Sequence, residues 1–144
     1  FADIAIDTDK IVVPQEMVDN WQQTLDLLSE LVDTPAALIM RVHQTDIEVF
    51  TSSRTQGNPY KKHDKDSLGH GLYCETVIKE GKELHIPNAL KDKNWDKNPD
   101  IKLGMIAYCG LPLRWPDSSA FGTICMLDSQ EHNYPQSFRF KLNT

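Results

Sequence analysis

Residues 108–128 read YCGLPLRWPDSSAFGTICMLD, and their pattern is the strongest indication of the fold in this sequence. Two runs rich in apolar residues, Met105 to Trp115 and Ala120 to Leu127, flank the segment Pro116-Asp117-Ser118-Ser119. Proline, aspartate and serine favour turns, and the flanking runs have the composition of β-strands. The stretch therefore predicts a β-hairpin.

The positions of two glycines and one aspartate in this hairpin indicate their physical roles. Gly110 and Gly122 lie inside the two predicted strands, where the missing side chain lets a backbone, a ligand or another side chain approach closely. Asp128 follows the second strand, and its carboxylate can turn the chain by bonding nearby amides. We therefore expect close packing against both strands of the hairpin.

The segment before the hairpin contains a predicted short helix and a predicted short strand. Apolar residues spaced four apart indicate a helix from Gly71 to Glu80, and Gly81 stands where a helix C-terminal glycine is common. Glu83 to Pro87 has the composition of a brief strand. Asn88 to Lys102 is polar, with Trp95 as its only aromatic residue, and its pattern predicts no regular element.

The first third of the chain begins with a predicted helix. Pro14 suits the first turn of a helix, and Thr34-Pro35 ends it because the residue before a proline is driven out of the helical region. Its apolar residues recur at steps of three and four. This stripe fits packing on the sheet of the same domain, a dimer seam, or both. Its members are Val18, Trp21, Leu25, Leu28 and Val32.

Further strands and a closing helix complete the predicted architecture. Ala37 to His43 and Ile47 to Ser52 predict a second hairpin, and Thr55 to Asp66, which has no apolar period, predicts a surface loop. Tyr134-Pro135 can open a helix that continues to Leu142. Strands flanked by helices at both ends indicate an antiparallel sheet covered by helices, an α+β fold.

Composition limits the class of protein. The 144 residues suit a single domain spanning 1–144, and the net charge of -6 with a pI near 5.3 speaks against a nucleic-acid groove. No run reaches the roughly 18 apolar residues of a membrane helix, and the start has no signal-peptide pattern. Since the chain lacks an initiator Met and stops within the closing helix, we expect a domain excised from a longer multidomain protein. That parent protein could be membrane-associated.

The cysteines and histidines show no metal-binding pattern. Cys74, Cys109 and Cys125 have no ligand spacing, and their odd number argues against a secreted disulfide framework, so a cytoplasmic location is expected. The five histidines are also widely spaced, and His63 and His70 form the residual candidate pair. Solvated or hydrogen-bonded roles outrank a metal site for both.

The segments YCGLPL (108–113) and FGTICMLD (121–128) resemble the signature hairpin of GAF domains. In that family a glycine and a Pro-Leu pair occupy one central strand, and Gly-Thr-Ile with an apolar run ending in Asp occupies the next. The segments GLYCETV (71–77) and LHIPNA (84–89) resemble the helix and short strand that precede this hairpin in the same family. The likeness covers roughly Val18 to Leu142.

The resemblance implies a fold and a regulatory function. It implies a six-stranded antiparallel sheet with terminal helices on one face and, on the other, a ligand pocket with short helices and loops. It also implies a sensory domain rather than an enzyme, one that binds a small molecule and controls a histidine kinase of a two-component system or a diguanylate cyclase. Such domains often form dimers through their terminal helices, here the Val18 to Val32 stripe and the closing helix.

A pocket in such a fold would lie beneath the Gly71 to Glu80 helix and the Asn88 to Lys102 segment. Each candidate for its lining has a rival role in the core, since aromatic and sulfur side chains fill cores more often than they hold ligands. Trp95 is the strongest candidate, because a large ring in a polar run needs somewhere to be buried. The lining candidates are Tyr73, Cys74, Trp95, Met105 and Tyr108.

Departures from family patterns bear on cofactors and on the alternatives. Asp128 to Tyr134 does not match the signature of cyclic-nucleotide-binding GAF domains, so a cyclic nucleotide is not favoured. The Asn88 to Lys102 stretch has neither the cysteine nor the histidine of bilin-binding relatives, which argues against a bilin. The alternatives are a dimerisation scaffold without ligand and, less favoured, a free methionine sulfoxide reductase, which would need a reactive thiolate.

Overall fold

The computed structural model describes residues 12 to 134. Two short 3-10 helices, Ala89–Lys91 and Pro99–Leu103, connect the fourth and fifth strands. Within the described residues, no helix combines the length and the apolar character that crossing a bilayer requires. The main elements are α1 (Gln15–Val32), β1 (Ala36–Val42), β2 (Asp46–Ser52), β3 (Lys65–Ser67), α2 (Tyr73–Glu80), β4 (Leu84–Ile86), β5 (Ala107–Arg114) and β6 (Ala120–Asp128).

The strands form one six-stranded antiparallel sheet in the order β3-β2-β1-β6-β5-β4. Both predicted hairpins are present, β1 with β2 and β5 with β6. They are joined where β1 pairs with β6, in a register that runs from Ala36 opposite Leu127 to Arg41 opposite Gly122. The predicted α+β fold with a six-stranded antiparallel sheet is confirmed.

Each face of the sheet carries its own core, because successive side chains of a strand point to opposite faces. Leu38 and Met40 of β1 belong to the core beneath α2. Ala37 and Ile39, which alternate with them, belong to the core beneath α1, together with Leu25 of that helix. The N-terminal helix and the α2 side therefore lie on opposite faces, as predicted.

Helix α1 packs its apolar stripe on the sheet of its own domain. It begins directly after Pro14 and ends at Val32, where Asp33 adopts a left-handed conformation with φ of 55°. Four members of the predicted stripe, Val18, Leu25, Leu28 and Val32, are buried in this packing. Trp21 is half-buried and meets Phe50 and Phe121 edge to face. The stripe is thus covered by the domain itself, and the apolar residues that α1 leaves exposed are Met17, Leu27 and Leu31.

The loop prediction for Thr55 to Asp66 is wrong at its end. Lys65 and Asp66 extend alongside β2 and form β3. All three residues of this strand are exposed, so no buried apolar face gives it the alternating pattern by which strands are found in a sequence.

The polar segment before β5 is ordered by asparagine caps. The side chain of Asn88 accepts a hydrogen bond from the amide of Leu90 at 3.0 Å, and that of Asn98 accepts one from the amide of Asp100 at 2.8 Å. Each bond starts one of the short 3-10 helices. Of the predicted closing helix only Tyr134 is described, and the remainder lies outside the described residues.

The two strand glycines allow the close approaches that the sequence predicts. A methyl group on Gly122 would overlap the carbonyl oxygen of Met40 on the neighbouring strand. A methyl group on Gly110 would overlap the phenol of Tyr108, whose ring lies across that position. Asp128 also has its predicted role, because its carboxylate accepts a hydrogen bond from the amide of Gln130 at 3.1 Å.

We expect Gly122→Ala to lower the free energy of unfolding by about 3 kcal/mol, because overpacking forces the backbones of β1 and β6 apart. Urea denaturation followed by circular dichroism measures this change. The control is Ser67→Ala on the exposed strand β3, which should stay within about 0.5 kcal/mol of the wild type. Equal stability of the two variants would contradict the packing role of Gly122.

Candidate functional site

A cavity of about 280 Å³ lies on the α2 face of the sheet. The floor is formed by apolar side chains of β1, β2 and β6, and Leu72, next to α2, completes the apolar wall. The mouth lies between the β2–β3 connection and the second 3-10 helix. The floor residues are Leu38, Met40, Ile47, Val49 and Leu127.

Asp100 brings a carboxylate to the wall of this largely apolar cavity. It accepts a hydrogen bond from the Tyr60 hydroxyl at 3.1 Å and a long one from the Tyr73 amide at 3.4 Å. Among residues 12 to 134 it forms no ion pair with a lysine, arginine or histidine. The second 3-10 helix, capped by Asn98, holds Asp100 in this position.

The carboxyl group of Asp100 has a raised pKa. Burial raises its pKa to about 6, and the negative charges of Asp66 and Glu75 add to this effect. The hydrogen bonds from Tyr60 and Tyr73 favour the ionised form but do not compensate. The cavity therefore carries a carboxyl group whose charge changes around pH 6.

Cys74 of α2 lies on the cavity wall within a buried polar group. Its sulfur is 3.3 Å from the Tyr108 hydroxyl and 4.0 Å from the sulfur of Cys125 on β6. The Thr123 hydroxyl donates a hydrogen bond to the same sulfur at 3.3 Å. Burial, reinforced by the hydrogen bond with Cys74, raises the pKa of the Cys125 thiol well above its usual range. This buried environment disfavours a thiolate at Cys125.

The structure places two of the predicted lining residues on the cavity wall and three behind it. Cys74 and Tyr108 line the cavity. Tyr73 stacks on Tyr108 with ring centroids 4.8 Å apart, and Trp95 packs on the outer side of Tyr73 at 5.4 Å. The Tyr73 hydroxyl donates a hydrogen bond to the carbonyl of Met105 at 3.2 Å. The burial that Trp95 needs is thus supplied by Tyr73.

Sequence reasoning missed the polar pair Tyr60 and Asp100. The two residues lie 40 positions apart in segments without an apolar period, and only the fold brings them together. The detectable sign was local: Asn98-Pro99-Asp100 carries a helix-capping asparagine followed by proline. That sign locates a helix start and says nothing of a cavity.

The β2–β3 connection, which supplies Asp64 to the cavity, is bonded to β2 near a cluster of Glu48, His43 and His63. The Glu48 carboxylate contacts His43 Nε2 at 2.7 Å and His63 Nδ1 at 2.8 Å. Burial raises the pKa of Glu48, but the hydrogen bonds from His63 and His43 outweigh it and the net shift is downward. The Val49 amide also donates to the Asp64 carbonyl at 2.8 Å. The chain that carries Asp64 to the cavity is therefore tied to β2.

The candidate metal pair His63 and His70 is not brought together with further ligands. Within the described part of the chain, no group of three or more histidine, cysteine, aspartate or glutamate residues has a geometry that could hold a metal ion. His63 instead bonds Glu48.

Comparison with known proteins gives a family match. The model of the GAF domain family matches residues 16–140 of this chain. A search of curated proteins gives no match.

Three solved structures illustrate the structural similarity. A GAF domain from an Acinetobacter phosphoenolpyruvate-protein phosphotransferase is 15% identical with a TM-score of 0.65, covering 87% of this chain and 75% of its own. A Staphylococcus aureus NreA protein mutated in its nitrate binding site is 22% identical with a TM-score of 0.62, covering 81% and 90%. A type II free methionine-R-sulfoxide reductase from Thermoplasma acidophilum is 11% identical with a TM-score of 0.66, covering 88% and 85%. At these identities the similarity shows a shared fold.

We expect Asp100→Asn to stabilise the domain above about pH 6 and to leave its stability near pH 4 unchanged. The folded-state pKa of Asp100, about 6, lies above its ordinary value of 3.8, so the folded state holds this proton more tightly than the unfolded chain. The resulting stability is fully present below the ordinary value and is lost as pH rises through about 6. The variant, which cannot ionise, should therefore gain about 1 kcal/mol at pH 7.5.

Urea denaturation at the two pH values measures this difference. Asp96→Asn, in the same segment but exposed and away from the cavity, is the matched control and should behave as the wild type at both. A loss of stability at pH 7.5 in Asp100→Asn would show that the ionised carboxylate stabilises the fold.

Proposed function

The chain belongs to the GAF domain family, and on that premise we propose that it is a sensory domain whose cavity binds a small molecule and controls a signalling output in the same parent protein. GAF domains are a sensory, small-molecule-binding fold. The observation that supports the proposal is the cavity of about 280 Å³, which the side chains of the domain leave unfilled. Its size is at the lower end of ligand pockets, so the ligand is small.

The cavity is connected to both ends of the described chain. Leu38 and Met40 of β1 form part of its floor, and the alternating residues of the same strand pack against α1. On the other side, Leu127 lines the cavity while its carbonyl accepts a hydrogen bond from Thr34 at 2.7 Å, and the Thr34 hydroxyl lies 2.9 Å from that of Tyr134. A ligand that binds one arrangement of β1 and β6 more tightly would shift the positions of both chain ends.

The proposed output is a histidine kinase or a diguanylate cyclase, and the proposed assembly is a cytoplasmic homodimer. Since the predicted stripe of α1 faces its own sheet, α1 would contribute its outer side to such a dimer, where Met17, Leu27 and Leu31 are exposed. A dimerisation scaffold without ligand is the rival proposal. The unfilled cavity supports the sensor over the scaffold.

The name of the Staphylococcus aureus structure mentions a nitrate binding site, and that site is a property of that protein. In this chain the cavity wall carries Asp100, Asp64 and Asp66 against one cation, Lys65. A small oxyanion would be repelled by this arrangement. Nitrate binding is therefore not expected of this cavity.

The reductase alternative is favoured by one observation, the 4.0 Å separation of the Cys74 and Cys125 sulfurs at the cavity. Such chemistry needs a thiolate that attacks sulfur and a second thiol that resolves the intermediate. All three cysteines are buried, however, and burial raises the pKa of the Cys125 thiol. This environment opposes a reactive pair.

We expect the native domain to react slowly with a thiol-directed disulfide reagent at pH 7, and all three cysteines to react at once after unfolding in urea. Absorbance of the released thiolate measures both rates. The variant Cys74→Ser, on the cavity wall, should abolish the fastest native phase, while Cys109→Ser on the other face should not. A fast native phase, together with reduction of free methionine sulfoxide that Cys74→Ser loses, would establish the reductase instead.

The sensor proposal predicts that a component of a cellular metabolite pool raises the melting temperature. A ligand at one hundred times its Kd stabilises the folded state by about 2.7 kcal/mol. Leu103→Trp at the cavity mouth should block entry and abolish the shift. The matched control is Leu90→Trp, a leucine of similar exposure, 57% against 51%, in the other 3-10 helix and away from the cavity.

Thermal-shift measurements on the wild type and both variants test this proposal. The shift should persist in Leu90→Trp. If no metabolite fraction shifts the wild type, or if both variants respond alike, the cavity is not a ligand site and the scaffold replaces the sensor.

A further inference from the structure

We infer that the ligand is a small, largely apolar molecule that carries one positively charged group, of the primary ammonium class, held by Asp100. The inference rests on the proposed function, since it names the chemistry of the molecule that the same cavity takes. It depends on four features of the cavity: its apolar floor, its engaged donors, the free acceptor capacity of Asp100 and the distribution of its charges.

The floor fixes the character of most of the ligand. Leu38, Met40, Ile47, Val49 and Leu127 present only apolar surface, and they belong to three adjacent strands. A polar ligand group placed against them would lose its hydrogen bonds to water without replacement. The part of the ligand that lies on the sheet is therefore hydrocarbon.

The side-chain donors of the wall are already engaged. The Tyr60 hydroxyl donates to Asp100, and the Tyr108 hydroxyl and the Cys74 thiol contact each other at 3.3 Å. Apart from Lys65, which lies exposed on β3, no side chain of the wall offers a free donor to an anion. A carboxylate or phosphate ligand would thus enter a site that has no hydrogen bonds prepared for it.

Acceptor capacity, by contrast, is available at Asp100. A carboxylate accepts about four hydrogen bonds, and among the described residues Asp100 accepts only two long ones, from the Tyr60 hydroxyl at 3.1 Å and from the Tyr73 amide at 3.4 Å. An ammonium group can donate three, and a hydrogen bond between two charged groups is about twice as strong as a neutral one. The free lone pairs of Asp100 therefore suit a cationic donor.

The charges around the mouth also favour a cationic ligand. Asp64 and Asp66 line the cavity with Asp100, whereas Lys65 is its single cationic lining residue among the described residues. A divalent metal ion would need further ligands, and no group of three suitable side chains is present in that part of the chain. The potential of these carboxylates favours a cationic ligand over an anionic one.

Binding of such a cation is linked to pH. The pKa of Asp100 is raised to about 6 by burial, and a cation bound beside it would lower that pKa because it stabilises the ionised form. Affinity should therefore rise as pH increases through about 6 and level off above it. An aliphatic amine stays protonated over this range, so the change reports Asp100.

The test uses matched probes that differ only in the polar group: cyclohexylmethylamine, cyclohexylmethanol and cyclohexanecarboxylate, with hexylamine, hexanol and hexanoate as a second set. Ligand-observed NMR titration of the wild-type chain at pH 5.0 and at pH 7.5 gives the affinities. We expect each amine to bind at least about tenfold more tightly than its alcohol at pH 7.5, and the carboxylates to bind most weakly.

Asp100→Asn should remove the advantage of the amine and its pH dependence while leaving the binding of the alcohol unchanged. Asp96→Asn, exposed and away from the cavity, should bind all probes as the wild type does. Both variants keep the backbone of their segment, and circular dichroism verifies that each is folded.

Failure of this inference and failure of the proposed function give different results. Alcohols or carboxylates that bind as tightly as the amines overturn the cationic ligand and leave the sensor standing. The cationic ligand is also overturned, and the sensor kept, if no amine binds but a metabolite raises the melting temperature of the wild type and leaves that of Leu103→Trp unchanged. When neither the probes nor any metabolite binds, both are overturned.

Discussion

The pairing of β1 with β6 holds the two halves of the sheet together. It joins two hairpins, each formed from residues close in sequence, into one sheet. Gly122 lets the two backbones come this close, since a side chain there would overlap the Met40 carbonyl oxygen. Because residues of both strands alternate between the two cores, α1, α2 and the cavity floor all rest on this pairing. The sheet is the rigid part, and the site is built on one face of it.

The polar parts of the cavity are held by local bonds rather than by the sheet. Asn98 caps the 3-10 helix that carries Asp100, and Glu48 ties the β2–β3 connection to β2 through His63. Connections of this kind tolerate change in sequence more easily than a paired strand does. A family that keeps one sheet can therefore vary its ligand by altering the connections, which is why the fold by itself does not name the ligand.

The contrast between the apolar sheet and its polar connections also explains which parts of the structure could be predicted from the sequence. Both hairpins, the N-terminal helix and α2 were predictable, because each buries an apolar face and so imposes a period on its residues. The strand β3 was not, since all of its residues are exposed. Among the candidate site residues, Cys74 and Tyr108 line the cavity, whereas Tyr73, Trp95 and Met105 do not. The sequence could not separate the two groups, because residue type and position do not show which side of a ring stack faces a cavity. The Tyr60–Asp100 contact joins residues 40 apart, and only the tertiary fold shows it.

Ionised Asp100 destabilises the folded domain, and this cost supports a functional role for the cavity. Burial and neighbouring carboxylates raise its pKa, so the ionised side chain lowers the stability of the domain at neutral pH. An asparagine would accept the Tyr60 hydrogen bond without that cost. Titratable groups with perturbed pKa values are concentrated at functional sites, where a bound ligand can provide the favourable interaction that the protein itself does not. A cation bound at Asp100 would remove the repulsion, restore the lost stability and, through the floor strands β1 and β6, favour the arrangement of the sheet that holds it.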